Sequence, residues 1–253
     1  MRILLTNDDG VDAAGLRALE EALGELGEVW VVAPDRERSG VAHSITFLTP
    51  LFAEPVHQGD RQRGWAVQGN PVDCVKLALF ELCPFRPDLL VSGINAGLNA
   101  GINVLYSGTV AAAIEGAFRG VRSAAISLEA DASPDYASAA RLSVQVLREH
   151  VIDNPHASLF NLNLPTAALG RDSAEVKIAP MGMAAYGDDF IRRQDPKNRT
   201  YYWATNDPPP KPESLETDLS LLEQGQIVLT PLQYNLTNQA AMESMRSDLQ
   251  HGL

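Results

Sequence analysis

The sequence predicts an α/β fold: a doubly wound, mostly parallel sheet over residues 1–165, then a smaller arm-bearing region over 166–253. Three observations carry this. Short apolar runs alternate with stretches of helical period through the first 165 residues. The runs are nearly continuous in apolar residues, as strands covered on both faces are, and alternation with helices makes the sheet parallel. After about residue 166 that rhythm gives way to polar and proline-rich sequence.

The elements follow in order. Arg2–Thr6 is a short apolar run and a buried strand. Over Gly15–Leu26 the leucines at 16, 19, 23 and 26 share one helical face. Glu28–Ala33 (EVWVVA) is a strand stopped by Pro34. Phe47–Val67 breaks the rhythm with Pro, Gly and charge, and predicts a hairpin excursion. Pro71–Leu82 is a helix with proline in its first turn. Asp88–Val91 is a strand, Thr109–Phe118 an Ala-rich helix, Ser123–Leu128 a strand, Tyr136–His150 a helix and Ser158–Leu164 a strand ending at Pro165. Beyond it, Val176–Pro180, Tyr201–Ala204 and Gln226–Thr230 predict strands and Leu236–Leu249 a weak terminal helix. The polar stretch Gly187–Arg199 and PPPKPES at 208–214 predict an extended arm.

Composition narrows the function. With 45% hydrophobic and 21% charged residues the chain is an ordinary globular one, long enough to bury a sizeable core. Net charge is −12 and no cluster of Lys and Arg is present, which argues against long nucleic acid as a partner. A small anion needs local positive potential, which a metal ion and helix N-termini supply. Cys74 and Cys83 form no CxxC pair and are expected to be reduced thiols. No apolar stretch approaches the roughly 20 residues of a membrane span, and the N-terminal run is too short for a signal peptide, so a cytoplasmic location is expected.

Four segments carry chemistry, and parallel-sheet topology collects loops after strands at one edge. Thr6-Asn7-Asp8-Asp9-Gly10 ends the first strand. Adjacent carboxylates there are costly without a cation between them, and a hard divalent ion with oxygen ligands answers this; a solvated turn is the alternative. Ala33–Gly40 (APDRERSG) follows the second strand, with Ser39 as a hydroxyl ligand and Arg36 or Arg38 to meet an anion, or else a charged surface turn. Val91–Gly97 (VSGINAG) follows the third, as a flexible glycine-rich loop in which Asn95 offers a carbonyl to metal or an amide to phosphate. Tyr106–Val110 (YSGTV) opens the Ala-rich helix, where Ser107, Gly108 and Thr109 are ordinary caps or a phosphate cradle. His43, four residues after Ser39, raises a Ser–His acyl hydrolase, although no G-x-S-x-G elbow surrounds the serine.

Taken together these stretches resemble the SurE family, the survival-protein nucleotidases: TNDDG at 6–10, VAPDRERSG at 32–40, PVDCVKLAL at 71–79, PDLLVSGINAGLN at 87–99 and VLYSGTVAAAIEGAF at 104–118. Weaker echoes are FNLNLP at 160–165, YYW at 201–203, TDLSLL at 217–222 and VLTPL at 228–232, so the likeness runs to about residue 237. The resemblance implies a Rossmann-like core and a metal-dependent 5′/3′-nucleotidase. It implies metal ligands at Asp8, Asp9, Ser39 and Asn95, a phosphate border at Ser107-Gly108-Thr109, and dimers or tetramers built through a C-terminal arm. The oxygen donors favour one Mg²⁺ or Mn²⁺ per subunit. Asp8, Asp9 and Asn95 are the candidate catalytic residues, and Asn95, Ser107, Gly108 and Thr109 the phosphate-binding ones. A nucleoside monophosphate is the expected substrate. Three departures, Asn70 after Gly69, VDAA at 11–14 and Gln226 after Gly225, spare the four ligand positions. A nucleotide-binding regulatory module without hydrolysis is the rival from another class.

Overall fold

The computed structural model describes residues 1–170, 175–184, 189–205 and 216–250. Its strands are β1 (Arg2–Thr6), β2 (Glu28–Pro34), β3 (Ala53–Gln58), β4 (Arg61–Val67), β5 (Leu89–Ala96), β6 (Arg122–Leu128), β7 (Leu159–Leu164), β8 (Val176–Ile178), β9 (Phe190–Gln194), β10 (Thr200–Ala204) and β11 (Ile227–Pro231). Its helices are α1 (Ala14–Leu23), α2 (Pro71–Leu77), α3 (Gly108–Phe118), α4 (Tyr136–Val146), α5 (Asp218–Glu223) and α6 (Gln239–Gln250).

Nine of these strands form one sheet in the order β3-β4-β2-β1-β5-β6-β7-β11-β8. Pairing is parallel except between β3 and β4 and between β7 and β11. Alternate strand residues feed two cores. Ile3, Leu5, Val31 and Val91 face Leu16, Leu19, Ala139 and Val144 of α1 and α4. Leu4, Val32 and Leu90 face Val75, Val110 and Ala113 of α2 and α3. This is the three-layer sandwich that continuous apolar strands require.

The chain runs outward from β1 to β2 and returns to the other side of β1 as β5, which makes the β1–β5 boundary the topological switch point. Ligand crevices open there, beyond the carboxyl ends of the strands.

Some elements differ from the sequence reading. The first helix ends at Leu23, with Gly24 as its cap, rather than at Leu26. The third strand runs on to Ala96, so Gly93, Ile94 and Asn95 are sheet residues rather than a flexible loop. The apolar run stops at Val91, but backbone pairing of Asn95 with Ser127 and Ala96 with Leu128 continues it. The hairpin excursion is β3–β4, and β4 joins the main sheet beside β2. Inside the polar stretch lies β9, whose IRRQ sequence hides it; it pairs antiparallel with β10 as a separate two-stranded sheet. Helix α5, six residues long, has no clear apolar period, and its TDLSLL stretch predicts no helix from the sequence. PPPKPES at 208–214 lies outside the described residues. Cys74 and Cys83 are free thiols, and burial, the largest cause in each, raises both.

Candidate metal and phosphate site

The end of β1 is built by Asn7. Its side chain donates to the Gly10 carbonyl (2.9 Å) and accepts from the Gly10 N–H (3.2 Å), closing a tight turn over Asp8 and Asp9. Gly10 holds φ +104°, which a side chain rarely adopts, and a Cβ there would lie 3.1 Å from the Arg36 backbone. The loops after β1 and β2 are thereby pressed together. The Arg38 N–H completes the contact, donating to the Asp8 carbonyl at 2.7 Å.

Asp8 is buried and points at the first turn of α3. Thr109 donates its hydroxyl to Asp8 Oδ1, and its backbone N–H also serves the carboxylate. Gly108 lets the helix come this close: a Cβ there would lie 3.0 Å from Asp8 Cβ and Oδ2. Ser107 accepts from the Val110 N–H at 3.1 Å, so it caps the helix while keeping its own hydroxyl proton to donate. A hydroxyl has one proton. That of Thr109 is given to Asp8 here, so the hydroxyl orients a carboxylate.

Asp9 is half-buried and accepts from the Ala96 backbone. Burial pushes its carboxyl up to about 6, with the charges of Asp8 and Glu37 adding to the rise. Burial also raises Asp8, against the pull of the Thr109 hydrogen bonds. These are carboxylates that lack a compensating positive charge. Asn95 sits beside them on β5, where three steps along β5 from Ser92 to Asn95 match two along β6, from Ala125 to Ser127. Such a bulge re-aims side chains beside a site. Asn95 donates its amide to the Gly97 carbonyl at 2.7 Å, leaving its Oδ1 as the unengaged end.

Ser39 is exposed, one residue beyond the Arg38 that grips Asp8, and donates to Glu37 Oε1 at 2.7 Å. A serine oxygen that gives its proton away keeps lone pairs for a cation. His43 faces Glu115 of α3 instead (3.3 Å), so the Ser39–His43 pair of an acyl hydrolase is not formed. Burial would raise Glu115, but hydrogen bonds from His43 and Arg119 and the Arg119 charge outweigh it and hold its carboxyl low.

Among the described residues no group of three or more His, Cys, Asp or Glu side chains is poised around one metal. The candidate set has two carboxylates, a hydroxyl and an amide oxygen, a hard-cation donor set with water completing the shell. Two raised, adjacent carboxylates fit such an ion.

Two residues at this edge escaped the sequence reading. Glu37 acts on both aspartates through its charge and holds Ser39. Tyr136, at the start of α4, lies near enough for the Asp9 charge to raise its phenol, after burial as the larger cause. Tyr136 opens the helix after β6, at the same edge of the sheet beyond the strand ends.

The family model for survival protein SurE matches residues 3–188. A 5′-nucleotidase SurE of Rhodopirellula baltica is 54% identical over 248 residues, 97% of this chain and 98% of that one. Another from Desulforudis audaxviator is 42% identical, covering 97% and 96%. The crystal structure of a SurE protein from Aquifex aeolicus superposes with a TM-score of 0.82 at 35% identity, over 98% of this chain and 99% of that one. The match takes in all four segments at the β1–β5 crevice, and on it the chain belongs to the SurE family.

Proposed function

We propose that this chain is a divalent-metal-dependent phosphatase that hydrolyses nucleoside monophosphates, the 5′ and the 3′ isomers, to nucleoside and phosphate. The observation that carries it is the adjacent pair Asp8–Asp9 at the topological switch point, one buried and one half-buried, both raised by burial. The relatives bearing the name 5′-nucleotidase cover nearly the whole chain, which favours catalysis over a non-hydrolytic binding module.

One Mg²⁺ or Mn²⁺ per subunit would be held by Asp8, Asp9, Ser39 and Asn95. An ion held there would supply Lewis-acid polarisation of a phosphoryl oxygen and offset charge on the substrate. The chain supplies the rest. Asp9, the more accessible carboxylate, orients the attacking water for in-line displacement. Asp8 is held in one rotamer by Thr109. The hydroxyl proton of Ser107 and the Gly108 N–H face the non-bridging phosphoryl oxygens, where the positive helix end favours anions. Asn95 lines the same crevice from β5.

The enzyme acts in the cytoplasm as a homodimer or homotetramer, with 1–165 as the catalytic core and 166–253 as the arm-bearing region. No described helix is long and apolar enough to cross a membrane. The test is phosphate release from a panel of 5′- and 3′-monophosphates with Mg²⁺ or Mn²⁺. Activity should vanish in EDTA and return with metal. Full activity in EDTA defeats the reading.

A further inference from the structure

We propose that Asp218 is a positioning residue for the phosphate cradle: it fastens the loop that feeds α3 to the base of the arm. The inference rests on the nucleotidase reading and deepens it. Asp218 is wholly buried at the first turn of α5, a helix that does not need it as a cap. Thr217 and Ser220 cap that helix reciprocally, with the Thr217 N–H donating to Ser220 Oγ at 2.9 Å. The Asp218 carboxylate is spent elsewhere. Its Oδ2 accepts the Gly101 N–H at 2.8 Å, and its Oδ1 accepts those of Gly182 (2.7 Å) and Leu219 (2.8 Å). Its own N–H donates to the Pro180 carbonyl at 2.9 Å.

One side chain thus joins three separate stretches. Gly101 opens the turn Gly101–Leu105 that runs into Ser107 and α3. Pro180 and Gly182 lie on the way into the segment that carries the β9–β10 hairpin, and Asp218 itself stands where that segment returns. The packing is as close as the hydrogen bonding. A Cβ on Gly101 would lie 2.8 Å, and one on Gly182 2.9 Å, from the Leu219 side chain. Gly101 also holds φ +54°.

The near end of the same loop is pinned by other means. Asn99 accepts at its carbonyl from the Asn161 and Asn163 amides, and donates to Ser127 Oγ at 2.9 Å. With Asn99 fixed to the sheet, the Gly101 N–H is the point at which the arm's base acts on the cradle. A buried carboxylate is the side chain for this task, because it offers acceptors on two oxygens and no donor to oppose the three N–H groups.

The experiment compares the full chain with Asp218→Asn and Ser220→Ala, reading amide hydrogen exchange and steady-state phosphate release from a nucleoside monophosphate with Mn²⁺. Asp218→Asn sets an NH₂ against a backbone N–H. It should speed exchange in both 99–107 and 180–184 and lower kcat by roughly tenfold or more, with KM and the metal-induced rise in Tm little changed. Ser220→Ala removes a cap hydrogen bond of α5 and should lower Tm while sparing kcat. Should Asp218→Asn not fold, Leu219→Ala loosens the same joint with the carboxylate intact and is expected to give the same paired exchange. Faster exchange in 180–184 alone, with wild-type kcat, would make Asp218 a mere anchor of the C-terminal region and overturn the proposal. A wild type that releases no phosphate from any monophosphate defeats the nucleotidase reading instead. Paired exchange at 99–107 and 180–184 then still upholds the joint, and its absence removes it.

Discussion

At the scale of single residues the site is a problem of uncompensated charge. Asp9 has its carboxyl raised from 3.8 to about 6, first by burial and then by Asp8. Over that window the metal-free folded chain keeps a proton that the unfolded chain gives up. Its stability therefore falls as pH climbs from about 4 to about 6, and levels off above. Asp8, raised in the same direction, adds to the slope. Asp9→Asn removes the Asp9 share. In EDTA its Tm should exceed that of the wild type by a margin that grows across this window and then stays constant. With metal present it should lose most activity and most of the metal-induced stabilisation. Asp12→Asn is the control, since Asp12 is exposed and paired to Arg17. Equal melting curves for Asp9→Asn and wild type from pH 4.5 to 7.5 would remove the account of Asp9. The acidic pair itself was visible in the sequence, because Asp-Asp-Gly after an apolar strand states its own difficulty. Its hydrogen-bond partners were not, because Thr109 and Asp8 are far apart in the chain.

At the scale of elements, the first turn of α3 does two jobs that sequence reasoning merged. Ser107 caps the helix and Thr109 restrains Asp8. Thr109→Val, which keeps shape and loses the hydroxyl, should lower kcat/KM by roughly tenfold or more, the effect of a charge-assisted hydrogen bond of about 1.5–3 kcal/mol. It should also weaken the metal-induced rise in Tm, because the group it releases is a candidate ligand. A phosphate contact alone would leave that rise untouched, so thermal melts with and without Mn²⁺ separate the two roles. The loop bearing Ser39 is likewise held to helices. The Ala42 N–H donates to the Tyr106 carbonyl at 3.0 Å, His43 meets Glu115, and Thr46 donates its N–H and hydroxyl to the buried Asp73 of α2. Apolar periodicity made the core strands and long helices legible. It failed where packing is one-sided or short, as in β9, in α5 and in the polar half of β5. In β5 the backbone ladder continues through residues whose side chains serve the crevice.

For the whole molecule, the β9–β10 hairpin sets large aromatics side by side on an exposed segment. In β9 and β10 every residue is exposed, with Phe190 at 60%, Tyr202 at 61% and Trp203 at 61%. Tyr201, Tyr202 and Trp203 are therefore exposed within one chain. Exposed aromatics in a row mark an interface. Replacing Tyr201, Tyr202 and Trp203 together by Ser should shift the protein to a smaller assembly in light scattering at micromolar concentration, with its Tm little changed. A full-length wild type already monomeric there would end the idea. The sheet also bears on how the sequence divides at residue 165. β11 and β8 come from beyond that point yet complete the same sheet as β1.

The antiparallel pairing of β11 with β7 has a consequence for how the protein is made. A ribosome delivers β1 to β7 first. When Leu159–Leu164 emerges, one side of it finds β6, while the other shows bare N–H and C=O groups on a strand that is wholly buried in the finished fold. Its partner, Ile227–Pro231, is translated only after the whole arm. A half-made chain therefore carries an open apolar edge while residues 165–226 are being made. Such edges recruit neighbouring chains. A message cut short within the arm would release a product that keeps that edge, open to pairing with another chain.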